Sequence, residues 1–111
     1  MKRLPILIAT MLVCGAVAAP PASAHQLPKF FARDQSFQLM QRICNQDDDP
    51  CRGVTIGRCA RRSAHRVDCH ATYRFFENGR DKQCKMWTKS ELNGDFVTTR
   101  VIRKTVNCRA L

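Results

Sequence analysis

Acidic side chains are scarce in this chain, nine among 111 residues, and it holds three histidines, one tyrosine and one tryptophan. Nothing in the spacing of these histidines and carboxylates fixes the geometry that acid and base catalysis needs. No nucleophile elbow, phosphate loop or His-Glu-x-x-His pattern is present, which removes the common hydrolase and nucleotide-binding signatures. The cysteines never form the short Cys-x-x-Cys pairs that zinc sites favour. No metal, cofactor or catalytic residue is therefore assigned from sequence. Long apolar runs are missing too, except one at the amino terminus.

That run has the form of a secretion signal. Met1-Lys2-Arg3 is a positive start, Leu4 to Ala19 is almost wholly apolar, and Ala22-Ser23-Ala24 offers the small residues a signal peptidase reads. Cleavage is expected before His25, giving a leader over 1–24 and one small domain over 25–111. A retained anchor would need ~20 apolar residues, and Pro20-Pro21 cuts this stretch short, so the mature form is expected to have no membrane span. Cys14 leaves with the leader; Val13 before it is too large for a lipoprotein site.

Six cysteines remain: Cys44, Cys51, Cys59, Cys69, Cys84 and Cys108. An even count in a short exported chain reads as three disulfides. Such a domain has a slim core, and each native bridge is worth about 2 to 5 kcal/mol. Charge is the second bound. The whole chain carries net +10, and losing Lys2 and Arg3 leaves 17 basic against 9 acidic residues, net +8. That balance suits a polyanion such as a cell-envelope polymer or nucleic acid, and equally suits plain solubility.

Phe30, Phe31, Phe37, Leu39, Met40, Ile43 and Cys44 recur at spacings near three and four, which predicts an amphipathic helix over Pro28 to Asn45. Asp47-Asp48-Asp49-Pro50 ends it as a solvated turn. The alternating ligands and glycine of a calcium loop are absent there. From Arg52 the pattern changes. Val54–Arg62, Arg66–Phe76, Lys82–Glu91 and Asp95–Asn107 are rich in strand formers and separated by turn signals at Ser63-Ala64, Asn78-Gly79 and Asn93-Gly94. The expected fold class is α+β: one N-terminal helix packed on a four-stranded antiparallel meander, stabilised by disulfides.

A three-residue connection Ser63-Ala64-His65 sets Cys59 opposite Cys69, close enough to bridge. Val67, Ala71, Tyr73 and Phe75 share that face, which makes it the core side. Val54 and Ile56 have the wrong parity, so a bulge is expected near Gly57. The remaining bridges are expected as Cys44 with Cys51 and Cys84 with Cys108, although the second is out of register in a regular hairpin. A two-residue Asn93-Gly94 turn would put Met86 opposite Val101 in the core and Trp87 opposite Arg100 outside.

The outer face then collects Arg58, Arg62, Arg66, Arg74, Lys85, Trp87, Lys89 and Arg100, with His70 and Asp68. An aromatic amid cations on an open sheet is a platform for single-stranded nucleic acid or sugars, or a solvated surface whose arginine stems cover the indole. His70 with Asp68 or Glu77 could serve phosphodiester chemistry, but no spacing fixes that geometry, and Asp68 beside arginines is the more natural ion-pair partner.

The stretch Arg58-Cys59-Ala60-Arg61-Arg62-Ser63-Ala64-His65-Arg66-Val67-Asp68-Cys69 resembles a hairpin recurring in small, uncharacterised secreted cysteine-containing proteins of high-GC bacteria. The resemblance covers that hairpin and the following strand, and implies no activity. The helix-plus-meander order resembles the cystatin-like architecture, without the Gln-x-Val-x-Gly loop of the inhibitory members. The expectation is a secreted, monomeric binding module contacting a polyanion or a protein. The alternatives are a secreted enzyme inhibitor and a small hydrolase such as a ribonuclease.

Overall fold

Strand-forming residues alternate from Cys51 to Val101, and they fold as one antiparallel meander. A computed structural model describes residues 16–18, 26–46 and 50–111; the rest of the expected leader, its cleavage point before His25 and the Asp47–Asp49 turn lie outside the described residues. In chain order the elements are β1 (Ala16–Ala18), α1 (Lys29–Cys44), β2 (Cys51–Ser63), β3 (Arg66–Glu77), β4 (Arg80–Asn93), β5 (Phe96–Val101), a 3-10 turn (Arg103–Thr105) and β6 (Asn107–Ala110). The sheet order is β1-β5-β4-β3-β2, with β6 alongside the first half of β4. The fold is α+β: α1 packs on the four-stranded meander β2 to β5, flanked by two short strands.

Helix α1 meets the sheet along a line at four-residue intervals, Ala32, Ser36, Met40 and Cys44, all buried. Of the stripe expected from sequence, Phe31, Leu39 and Ile43 do pack against the core. Phe30 and Phe37, however, are 70% and 38% exposed. The physical reason is close approach. Small side chains at 32 and 36 let the helix backbone come down on the sheet, where phenylalanine would hold it off. Burying the Ser36 hydroxyl requires a partner, and Thr88 Oγ1 supplies it at 2.7 Å. Thr88 in turn donates to the carbonyl of Cys69 at 3.2 Å, so its one proton is spent and Ser36 is the donor of the pair.

The first hairpin reaches the expected register by a different route. Its turn is the two residues Ala64 and His65, closing Ser63 against Arg66, and a bulge between Arg61 and Ser63 restores Cys59 opposite Cys69. A second bulge lies between Ile56 and Cys59, at the glycine that marks one in the sequence, Gly57. It returns Val54 and Ile56 to the core side opposite Tyr73 and Ala71. Asn78 and Gly79, both with positive φ (54° and 74°), form the next turn, as an Asn-Gly pair in a primed turn must.

The last hairpin corrects the sequence reading. Val101 pairs with Thr88 and Arg100 with Lys89, not with Met86 and Trp87. Gly94, at φ 64°, takes the first loop position, the place a type II′ turn gives to glycine, so the loop is Gly94-Asp95 and the strands slide by one residue each. Slippage by one on both strands preserves faces, and Met86 remains in the core. The expected strand Asp95–Asn107 is also broken. Ile102 donates to the carbonyl of Trp87 and the chain then turns through Arg103–Thr105, where Thr105 Oγ1 accepts from the Trp87 N–H at 2.9 Å. This interruption resets the register, so that Cys108 in β6 lies directly opposite Cys84.

All three bridges form as paired from sequence: Cys44–Cys51, Cys59–Cys69 and Cys84–Cys108. Cys59–Cys69 lies in the core cluster with Leu27, Ala32, Val67, Leu92 and Val97. Three disulfides suit an oxidising environment of the extracellular type. Among the described residues no helix is long and apolar enough to cross a membrane.

Candidate functional site

Opposed residues of an antiparallel ladder share a face, so the registers alone assign the side of the sheet away from α1. Ala60, Asp68, Lys89 and Arg100 make one row across it, and His70 beside Trp87 makes the next. Thr72, Lys85 and Asn107 follow, and then Arg74, Gln83 and Arg109. The pairings place Arg66, Arg74, Lys85, Trp87, Lys89 and Arg100 on it as expected, and Arg58 and Arg62, which fall in the bulges of β2, reach it through their contacts with the Trp87 ring.

At its centre is Trp87. The His70 ring meets it edge-on at 5.4 Å, and the guanidinium carbons of Arg58 and Arg62 each lie 5.6 Å from its ring centroid. The cation–π partners of the indole therefore come from β2 across the sheet. Arg100, expected opposite Trp87, instead approaches Glu91 at 3.7 Å, as Lys89 does at 3.8 Å.

Asp68 is the one deeply buried carboxylate here, 2% exposed on what should be the wet side of the sheet. Arg66 binds it through two nitrogens, each at 2.9 Å, and Arg62 Nε adds a third hydrogen bond at 3.1 Å. Burial is the largest single influence on this carboxyl and pushes its pKa up. The hydrogen bonds from Arg66 and Arg62, together with their charges, outweigh it and hold the group below its ordinary value. The Arg66 guanidinium is raised in return, chiefly by its hydrogen bonds to Asp68. Asp68 is thus an ion-pair anchor between two arginines.

The face divides in two. Arg62 and Arg66 share Asp68, and Lys89 and Arg100 flank Glu91, so two carboxylates partly compensate the four cations of this half. Arg58, Arg74 and Lys85 have no ion-pair partner among the described residues and are exposed. Arg109, opposite Gln83 in the same row as Arg74, joins them. Sequence reasoning missed Arg109 because an unbroken last strand would not bring it back beside β4; the signal was the out-of-register Cys84–Cys108 pair, which requires a break. On the helix side, Phe30, Arg33, Asp34, Phe37, Val54, Thr55 and Ile56 line an open groove of about 520 Å³. No family model, curated protein or solved structure matches this chain.

Proposed function

We propose that the protein is a secreted binding module, without catalytic activity, that holds an extended polyanion against the uncompensated half of its outer sheet face. Arg58, Arg74, Lys85 and Arg109 supply the phosphate- or sulfate-type contacts, and Trp87 supplies a flat platform whose position is held by His70. The observation that carries this reading is the split itself. A surface evolved only for solubility has no need to keep one half of its cations paired and leave the other half around an aromatic ring free. The partly compensated half works as scaffold, because Asp68 fixes Arg62 over the indole ring.

Substituting Arg58, Arg74, Lys85 and Arg109 together by glutamine is expected to weaken binding to a single-stranded oligonucleotide and to heparin. The slope of log affinity against log salt should flatten by roughly 0.7 to 0.9 for each cation–phosphate pairing abolished. Replacing Lys89 and Arg100 should change that slope less per cation, since Glu91 already offsets one of their two charges. Trp87→Ala should add a loss of about 1 to 3 kcal/mol that salt does not remove, if a base or sugar stacks there. Fluorescence anisotropy at two salt concentrations, on variants whose melting temperatures match the parent, decides it. Equal slopes for all variants would sink the reading.

A further inference from the structure

We propose that the free side of β5 is a strand-pairing edge on which a second copy of this chain docks antiparallel, once the leader carrying β1 is removed. The inference rests on the proposed cleavage before His25, and it replaces the monomer expected from sequence. Its starting point is where the backbone groups of β5 point. Phe96 closes the hairpin against Asn93, and Ile102 donates to Trp87, so the even-numbered residues between them turn their N–H and C=O groups toward β4. Val97, Thr99 and Val101 then turn theirs to the open side. That side accepts an antiparallel strand: Ala16–Ala18 pairs there, with Val17 opposite Val97.

The two long edges of the sheet are not equivalent. β2 is interrupted by three register shifts and carries exposed Arg52, Arg58 and Arg62, and Arg33 already donates to the Ile56 carbonyl at 3.0 Å. Those are the devices by which natural edges resist pairing. β5 has one of them over its six residues, the exposed Arg100, and its register with β4 is unbroken. Excision of residues 1–24 would bare a regular edge ending at Phe96, which is 52% exposed even with β1 in place.

The edge is also complementary to itself. A two-fold axis at Thr98 sets Thr98 against its own copy, Val97 against Thr99, and Phe96 against Arg100 of the second copy, where a guanidinium can cover the exposed ring. No like charges oppose one another. The axis is perpendicular to the sheet, so both outer faces lie on one side and the two sets of Arg58, Arg74 and Lys85 become parts of one surface. A long polyanion could then engage both copies, with the gain that linked sites give.

The test takes the chain exported from a secreting host, with intact mass establishing the amino terminus before anything else is measured. Light scattering coupled to size exclusion is expected to find the processed protein as a dimer at high micromolar concentration. Thr99→Pro, which removes an N–H from the open side and leaves the β4 ladder intact, should be monomeric, as should Thr98→Lys, which places two ammonium groups at the axis. If mass shows the leader retained, the cleavage reading fails separately, and Val17→Pro in the intact chain frees the same edge for the same measurement. A monomer at every concentration in chains with a bared edge overturns the proposal. So does a dimer that survives both β5 substitutions in variants that melt like the parent.

Discussion

Replacing Cys59 and Cys69 together by alanine is expected to lower the unfolding free energy by about 3 kcal/mol from loop closure alone. A further loss should follow from the gap left in the core, since these cysteines pack with Leu27, Val67 and Val97. Loop length by itself ranks the bridges differently. Cys84–Cys108 spans 24 residues against 10 for Cys59–Cys69, so chain entropy alone makes it the more stabilising by about 0.8 kcal/mol. Packing reverses that order. Every residue of β6 is exposed, and once its tether is cut the strand can leave β4 at the cost of uncovering one core position, that of Cys84, which returns entropy to the folded state. Chemical denaturation of the two double variants, compared with the parent, checks it. The larger loss is expected for Cys59–Cys69, and the opposite ranking would mean that unfolded-chain entropy outweighs core packing here.

The same hairpin marks how far the fold is legible in sequence. Strict alternation along β3 fixes which face Cys69 occupies, and the misplaced parity of Val54 and Ile56 calls for the bulge that is found beyond Ile56. Face assignments survive even where register does not, because a two-position change in the pairing sum never exchanges faces. What sequence leaves open is the choice between near-equal local solutions. Asn93-Gly94 can serve a type I′ turn, or Gly94 can open a type II′ turn, and strand alternation does not separate them because both keep the same faces. Helix rotation is similar. Both a phenylalanine stripe and an Ala32–Ser36–Met40–Cys44 line have helical spacing, and the short reach between helix and sheet selects the line with small residues. The burial of Asp68 is least visible of all, since it depends on two arginine side chains folding over a strand rather than on any periodic signal.

Removing that carboxylate should be the most damaging change available on the outer face. Asp68→Asn retains the shape but keeps only one acceptor oxygen, and turns an NH2 group toward guanidinium donors where the second oxygen was. Bonds to charged groups are worth about 1.5 to 3 kcal/mol each when buried. Arg62 and Arg66 are half and one-third exposed and can turn to water, so the expected loss is about 2 to 3 kcal/mol in all. Part of it is repulsion among Arg58, Arg62 and Arg66, which 0.5 M salt should screen in the variant while barely moving the parent. The pH dependence follows from the direction of the shift. Because the folded carboxyl titrates below its unfolded value of about 3.9, the unfolded chain takes up the proton first, so the contribution is complete above that value and is lost as pH falls through the lower folded one. Melting temperatures of the parent should therefore drop steeply below pH 4, while those of Asp68→Asn should drop less and approach the parent at the acid end. Parallel curves for the two proteins would show that Asp68 contributes shape and not charge, and Arg62 would then need another explanation for its place over Trp87.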